Sequence, residues 1–386
     1  MPRTYLDYQA TTPLDPRVLE AMMPYLTERF GNAASASHPY GWEAEAAVKV
    51  ARRQVADALG AHPDEIVWTS GATESINLAL KGAAEAEQGG GRHLVTLATE
   101  HPATLDTCRN LEARGWSVTY MPVDATGVVE PSAVAAALRP DTVLVSIAHA
   151  NNEIGTVQAI AEIGALVRAA GALFHVDAAQ SFGKLPLANI PVDLLSLSSH
   201  KLYGPKGVGA LYVRRRDPRV RLVSQIHGGG HQRGLRSGTL NVPAIVGLGV
   251  ATTLALAEMD TEHLRLTQLR DQLYRRLATL EGVTLNGHPT RRLAGNLNVS
   301  FAQAPADAVI ARLTGLALSS GAACSSASLE PSHVLRAIGV PDGLAKCTLR
   351  FGLGRPTTRD EVEAAADQVI EAVQAVRAAN PMYGVE

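Results

Sequence analysis

The feature that most constrains this fold is an alternation between residues 66 and 213. Apolar, β-branched runs recur at Ile66–Thr69, Leu94–Leu97, Val118–Met121, Thr142–Ala148, Leu173–Val176, Val192–Leu197 and Val208–Val213. Segments with apolar residues at helical spacing separate most of them, such as Thr73–Ala83 and Ile160–Ala170, the latter closed by Gly171. Buried strands alternating with helices predict a mainly parallel sheet covered on both faces. Such a sheet binds ligands beyond the carboxyl ends of its strands. The residues that follow each apolar run are therefore the first candidates for function.

Helices precede the alternation. Asp15 is placed to cap a helix with Pro16 at its first position, and an Ala-rich helix over Glu43–Leu59 ends at Gly60. Beyond Thr261 the alternation stops. A charged helix over Glu262–Leu280, strands over Leu297–Phe301 and Thr348–Phe351, and a last helix over Asp360–Ala379 read as a smaller α+β unit. The expected domains are 13–255, large, and 1–12 with 256–386, small; 386 residues accommodate both.

Bulk properties exclude several function classes. A formal net charge of −2 gives no general surface for nucleic acid. The local cluster Arg214–Arg216 with Arg219 and Arg221 reads as a solvated turn. Cys108, Cys324 and Cys347 form no CxxC, so neither a metal site nor a disulfide framework is expected. The start Met1–Tyr5 has no apolar signal core, and Val242–Ala257 is interrupted by Pro243, Gly247 and Gly249. A soluble, cytoplasmic protein is expected, with no membrane partner.

Four strand ends carry chemistry. One opens a helix with Ser70-Gly71-Ala72-Thr73, one ends in Glu100-His101, one in His175-Val176-Asp177, and one in Ser198-Ser199-His200-Lys201. Singly, each reads as a polar loop, and His149 and His175 as structural histidines. Together, at one sheet edge, they match what pyridoxal phosphate requires. That cofactor needs an amine for a Schiff base, a carboxylate at the pyridine nitrogen, a flat group against the ring and a helix N-terminus for the phosphate. Lys201, Asp177, His101 and the start at Ala72 and Thr73 supply these, with Ser198 and His200 beside the phosphate.

The chain resembles the cysteine desulfurases of iron–sulfur cluster assembly, within the class V aminotransferases. The resemblance rests on ordered motifs along nearly its whole length, among them YLDYQATTPLDPRV, SGATESINLA, ATEHPATL, NNEIGTVQ, HVDAAQS, SSHKLYGPKGVGALY, GGGHQRGLRSGTLN, SGAACSSASLEPSHVLRAIG and LRFGLGR. It implies pyridoxal-phosphate fold type I, aspartate-aminotransferase-like, with a mainly parallel seven-stranded sheet. It implies that Gln180 contacts the ring hydroxyl, that Asn151 serves cofactor and substrate, and that Asn32 and Arg350 hold the substrate carboxylate with it. Thr239 would reach the phosphate of a second subunit, so a homodimer is implied.

The resemblance also makes Cys324 the residue that defines the reaction. It lies in a loop of small residues at about 319–330, and the family likeness is to the group with a long mobile cysteine loop. Catalysis would then involve Cys324, Lys201 and His101. L-cysteine would be converted to L-alanine, with its sulfur held on Cys324 as a persulfide for a scaffold or other acceptor protein. Selenocysteine lyase and class V transaminase chemistry remain open alternatives, as does a non-catalytic interaction protein. Several family members dock scaffolds through a longer tail; this sequence stops at Glu386, which leaves docking of that kind open.

Overall fold

A computed structural model of the chain describes residues 3–320 and 331–379. Among them the elements run β1 (Thr4–Tyr5), α1 (Pro16–Thr27), α2 (Pro39–Leu59), β2 (Ile66–Thr69), α3 (Ala72–Ala86), β3 (His93–Leu97), α4 (Pro102–Glu112) and β4 (Ser117–Met121). They continue with α5 (Pro131–Ala137), β5 (Thr142–Ala148), α6 (Ile160–Ala169), β6 (Leu173–Asp177), β7 (Leu194–Ser198), β8 (Gly209–Val213) and α7 (Val242–Leu277). The remainder is β9 (Val283–Leu285), β10 (Asn296–Phe301), α8 (Ala306–Ile310), β11 (Leu316–Ala317), β12 (Ser319–Ser320), α9 (His333–Ala337), α10 (Asp342–Ala345), β13 (Thr348–Gly352) and α11 (Arg359–Ala378).

Strands β2 to β8 form one seven-stranded sheet in the order β2-β8-β7-β6-β5-β3-β4. Only β8 runs against its neighbours. Successive side chains of a strand point to opposite faces, and both faces here are apolar. Leu94, Leu144 and Leu194 pack under α3 and α4, whereas Val95, Val145 and Leu195 join the core beneath α2 and α7. Burial on both sides explains why these strands read as continuous apolar runs.

A four-stranded sheet, β12-β13-β10-β9, carries a separate core with Val299, Phe301, Phe351, Val369 and Val373. Leu6 belongs to this core, brought there as β1 pairs in parallel with β11. Helix α7 serves both cores: Ile245, Leu248 and Ala251 pack into the first, Leu269, Leu273 and Leu277 into the second. The sequence places a helix only from Glu262, with Val242–Ala257 apart from it, whereas one helix covers both. Its apolar face changes partner near Asp260, but no helix breaker stands there, so the helix continues through an exposed middle.

Two caps follow sequence logic. Asp15 accepts from the Arg17 backbone N–H at 2.9 Å, and Gly60 ends α2 at φ 64°. One expectation fails. Arg214 is not a solvated turn residue: its guanidinium donates to the Val192 carbonyl and pairs with the buried Asp193 carboxylate at 3.1 Å.

Candidate active site

The carboxyl ends of β2, β3, β5, β6 and β7 surround a cavity of about 560 Å³. Its lining includes Ala72, Thr73, His101, Asn151, Asp177, Gln180, Ser198, His200, Lys201 and Arg350. Ten of the sequence candidates therefore share one space. Asn32 and Thr239 do not: both are exposed and lie outside the lining. Cys324 lies outside the described residues.

One end of the cavity is the start of α3. Its N-cap is Gly71, with no side-chain cap. Ser70 does not cap the helix; its backbone N–H donates to Glu74 at 2.7 Å, and Arg236 holds that carboxylate at 2.7 Å. The first-turn N–H groups of α3 thus face the cavity without a side-chain acceptor, which suits an anion. The cup is tight. A Cβ on Gly209 would lie 2.7 Å from the Gly71 Cα, so β8 can approach only with glycine there.

Lys201 ends a short turn after β7. Its amine donates to the carbonyls of Gln9 and, at 2.7 Å, of Ala10. The same N-terminal arm holds the neighbouring histidine: Thr11 Oγ1 lies 3.1 Å from His200 Nδ1, and Thr12 binds the His200 carbonyl at 3.0 Å. Burial, reinforced by Lys201, lowers His200 to about 4, so its ring is neutral.

Asp177 ends β6, buried, with Oδ1 accepting from Ala179 N–H at 2.9 Å. Burial pushes this carboxyl up; the Ala179 hydrogen bond and the charges of His101 and Lys201 pull it back. His101 caps α4, its Nδ1 accepting from Ala103 N–H at 3.1 Å. That bond assigns the ring proton to Nε2. Burial lowers His101, opposed by Asp177. Gln180 donates through Nε2 to the Gln9 carbonyl at 3.0 Å, while its buried Oε1 has no partner.

At the opposite wall, Arg350 is 1% exposed. It donates to Asp7 Oδ1 at 2.7 Å, to the Asn152 carbonyl at 3.1 Å and to Ser319 Oγ at 3.3 Å. Asn151 directs its amide largely inward, accepting from Glu153 and Ile154 N–H and donating to the Thr99 carbonyl at 2.9 Å.

These residues fit pyridoxal phosphate on observations of this structure. An uncapped helix start suits the phosphate. A buried carboxyl at Asp177 suits a protonated ring nitrogen. An orphaned acceptor on Gln180 suits the ring hydroxyl. Sequence reasoning missed Asp7 and the Gln9 and Ala10 carbonyls, although the YLDYQATT motif that carries them stood out; main-chain acceptors leave no residue signature. Cys108 and Cys347 are buried, and burial drives the Cys108 thiol up to about 12. His175 bridges Ser146 and Ser196 at 2.8 and 2.9 Å inside the sheet, a structural placement. Among the described residues no group of three or more His, Cys, Asp or Glu is placed to hold a metal ion.

A family profile described as Aminotransferase class-V matches residues 4–365. The chain is 56% identical over 382 residues to the cysteine desulfurase IscS of Anaeromyxobacter dehalogenans, a match covering 98% of this chain and 94% of that protein. It is 55% identical over 381 residues to the cysteine desulfurase IscS of Methylococcus capsulatus, with coverage of 98% and 94%. Among solved structures it resembles a NifS-like protein at TM-score 0.90 and 38% identity, covering 97% of this chain and 100% of that one. It also resembles SspA in complex with cysteine, at TM-score 0.80 and 41% identity, covering 91% and 98%.

Proposed function

The chain belongs to the aminotransferase class-V family as a pyridoxal-phosphate-dependent cysteine desulfurase, and on that premise we propose how its own residues divide the reaction. The substrate is L-cysteine; the products are L-alanine and a transferable sulfur. When bound, the cofactor supplies an electron sink conjugated to the substrate Cα. Lys201 would anchor it, and the first turn of α3, with Ser198 and His200, would receive its phosphate. Asp177 would hold a proton at the ring nitrogen, Gln180 Oε1 would accept from the ring hydroxyl, and His101 would serve the ring face.

Arg350 fixes the substrate carboxylate with its two-pronged geometry, aided by Asn151. The Lys201 amine, free once the substrate amine takes its place, would remove the Cα proton, and His101 would move a proton at the substrate thiol. The Cys324 thiolate then attacks the substrate sulfur. An S–S bond forms as the C–S bond breaks, and the electron pair stays with the carbon chain. That chain takes up protons and leaves as alanine, while the sulfur stays on Cys324 as a persulfide.

The observation that carries this reading is the meeting of Lys201 and Asp177 in one cavity whose far end is an uncapped helix start. The exposed positions of Asn32 and Thr239 support a site completed across a homodimer. Exposed Leu26, Phe30, Tyr40 and Trp42 on and beside α1 and α2 offer apolar surface for such a contact. The cluster around Ile245 and Leu248 is separate from the one around Phe301 and Phe351, which supports a large domain at 13–255 and a small one formed by 1–12 and 256–386. The apolar half of α7 packs against α1 and α2, which supports a soluble, cytoplasmic protein with no membrane partner. The persulfide serves iron–sulfur cluster assembly through an acceptor or scaffold protein.

Borohydride reduction of the holoenzyme, followed by peptide mapping, tests the reading. A pyridoxyl group on Lys201, with loss of alanine formation in Lys201→Ala, is expected. An adduct on another lysine would refute the assignment.

A further inference from the structure

Glu100 is the residue before His101 and is 1% exposed. Its Oε1 accepts from the Ala148 N–H at 2.9 Å, and Ala148 is the β5 residue paired with Asp177 on β6. Its Oε2 has no hydrogen-bond partner, and among the described residues no cation lies within ion-pair distance of it. Two carboxyl groups thus sit side by side at the buried sheet edge. Asp177 faces the cavity, with His101 and Lys201 opposite; Glu100 points into protein.

We propose that the unpartnered Glu100 Oε2 carries the proton of this buried pair of carboxyls, so that its negative charge rests on Asp177. The inference rests on the reading of Asp177 as partner of the ring nitrogen. Two adjacent carboxyls in a low-dielectric site do not both ionise, and the one that faces a cation, here the Lys201 amine, keeps the charge. The groups around Glu100 agree. Burial keeps the Cys108 thiol on α4 un-ionised, and His333 on α9 meets Glu100 at its main-chain carbonyl, at 3.0 Å. Burial, with Asp177 adding to it, lifts Glu100 to about 8. An ionised Glu100 would place a second negative charge beside Asp177 and bind the ring-nitrogen proton more tightly; the neutral acid leaves that proton governed by Asp177 alone.

Glu100→Gln tests this, because the amide keeps the acceptor for Ala148 and the volume. The infrared difference between wild-type and Glu100→Gln holoenzymes at neutral pH should contain the C=O stretch of an un-ionised carboxyl, shifting in D₂O and titrating away above about pH 8. The difference also cancels Glu153, a second buried carboxyl pushed up by burial. The affinity of the apoenzyme for pyridoxal phosphate should change less than about threefold at neutral pH, as a neutral group replaces a neutral group. The thermal midpoint of Glu100→Gln should exceed that of wild type by a gap that widens as pH rises from 5 towards 8, because a carboxyl with a raised folded pKa loses stability over that range.

Carboxylate bands in the difference at neutral pH, or a midpoint gap independent of pH, would overturn the proposal. Should the variant fail to fold, wild-type holoenzyme carrying ¹³C-labelled glutamate reads the same acid band, and its absence at neutral pH is equally fatal. Failure of the Asp177 reading is seen separately, as wild-type turnover in Asp177→Asn, and leaves the infrared band unaffected.

Discussion

Asp7 and Arg350, 343 residues apart in the chain, meet at 2.7 Å on the wall of the cofactor cavity. The guanidinium is 1% exposed, and Asp7 is its only carboxylate partner among the described residues. A charge so buried is tolerable only because it is paired and hydrogen-bonded. The N-terminal arm therefore builds the site: it neutralises the residue proposed to receive the substrate carboxylate and, two residues on, supplies the carbonyls that hold Lys201.

Removing that charge leaves Arg350 uncompensated. Asp7→Asn, which keeps an acceptor, should cost about 1–3 kcal/mol in denaturant unfolding and raise KM for cysteine more than it lowers kcat. Arg350→Lys loses the forked geometry and should raise KM about tenfold or more with a smaller effect on kcat. Steady-state kinetics with the two constants separated checks both.

Close approach of β8 to the start of α3 shapes the proposed phosphate cup. Gly209→Ala places a Cβ 2.5 Å from the Leu197 carbonyl oxygen and 2.7 Å from the Gly71 Cα, so backbone must move. Overpacking of this kind costs about 1–3 kcal/mol. Equilibrium dialysis of the apoenzyme should show weaker binding of pyridoxal phosphate, and unchanged affinity would contradict the assignment of the cup.

Asp177→Asn keeps the shape and removes the charge. With no carboxylate to hold the ring-nitrogen proton, kcat should fall about 100-fold or more while cofactor stays bound, as followed by its absorbance.

Acid stability carries a signature of His175. Buried between Ser146 and Ser196, its ring is pushed by burial from the usual 6.5 down to about 3. The unfolded chain binds a proton there below pH 6.5 that the native state refuses. Stability is thus fully present above that pH and falls as pH drops towards 3, by about 1.4 kcal/mol per pH unit for one such group. His175→Gln should flatten this limb in urea titrations between pH 6 and 4 while lowering stability at neutral pH.

The sheet and the strand-end residues were legible because burial on both faces writes continuous apolar runs, and because a parallel sheet puts every carboxyl end on one edge. Lys201, Asp177, His101 and Thr73 could be collected without knowing the packing. What stayed hidden depends on partners distant in sequence or on the main chain. Nothing local to Asp7 announces Arg350. The carbonyls of Gln9 and Ala10 have no side-chain code. The unity of α7 was masked because its apolar face serves first one core and then the other. Arg214 looked like one charge in an exposed cluster, and only the fold gives it Asp193.

The proposed division of labour has Lys201 hold the cofactor while Cys324 takes the sulfur. Single-turnover reaction with L-cysteine, followed by peptide mass mapping, tests it most directly. One added sulfur atom on the Cys324 peptide is predicted, none on the buried Cys108 or Cys347, and no persulfide with little alanine in Cys324→Ser. Sulfur on Cys108 or Cys347, or alanine formed by Cys324→Ser at the wild-type rate, would contradict it.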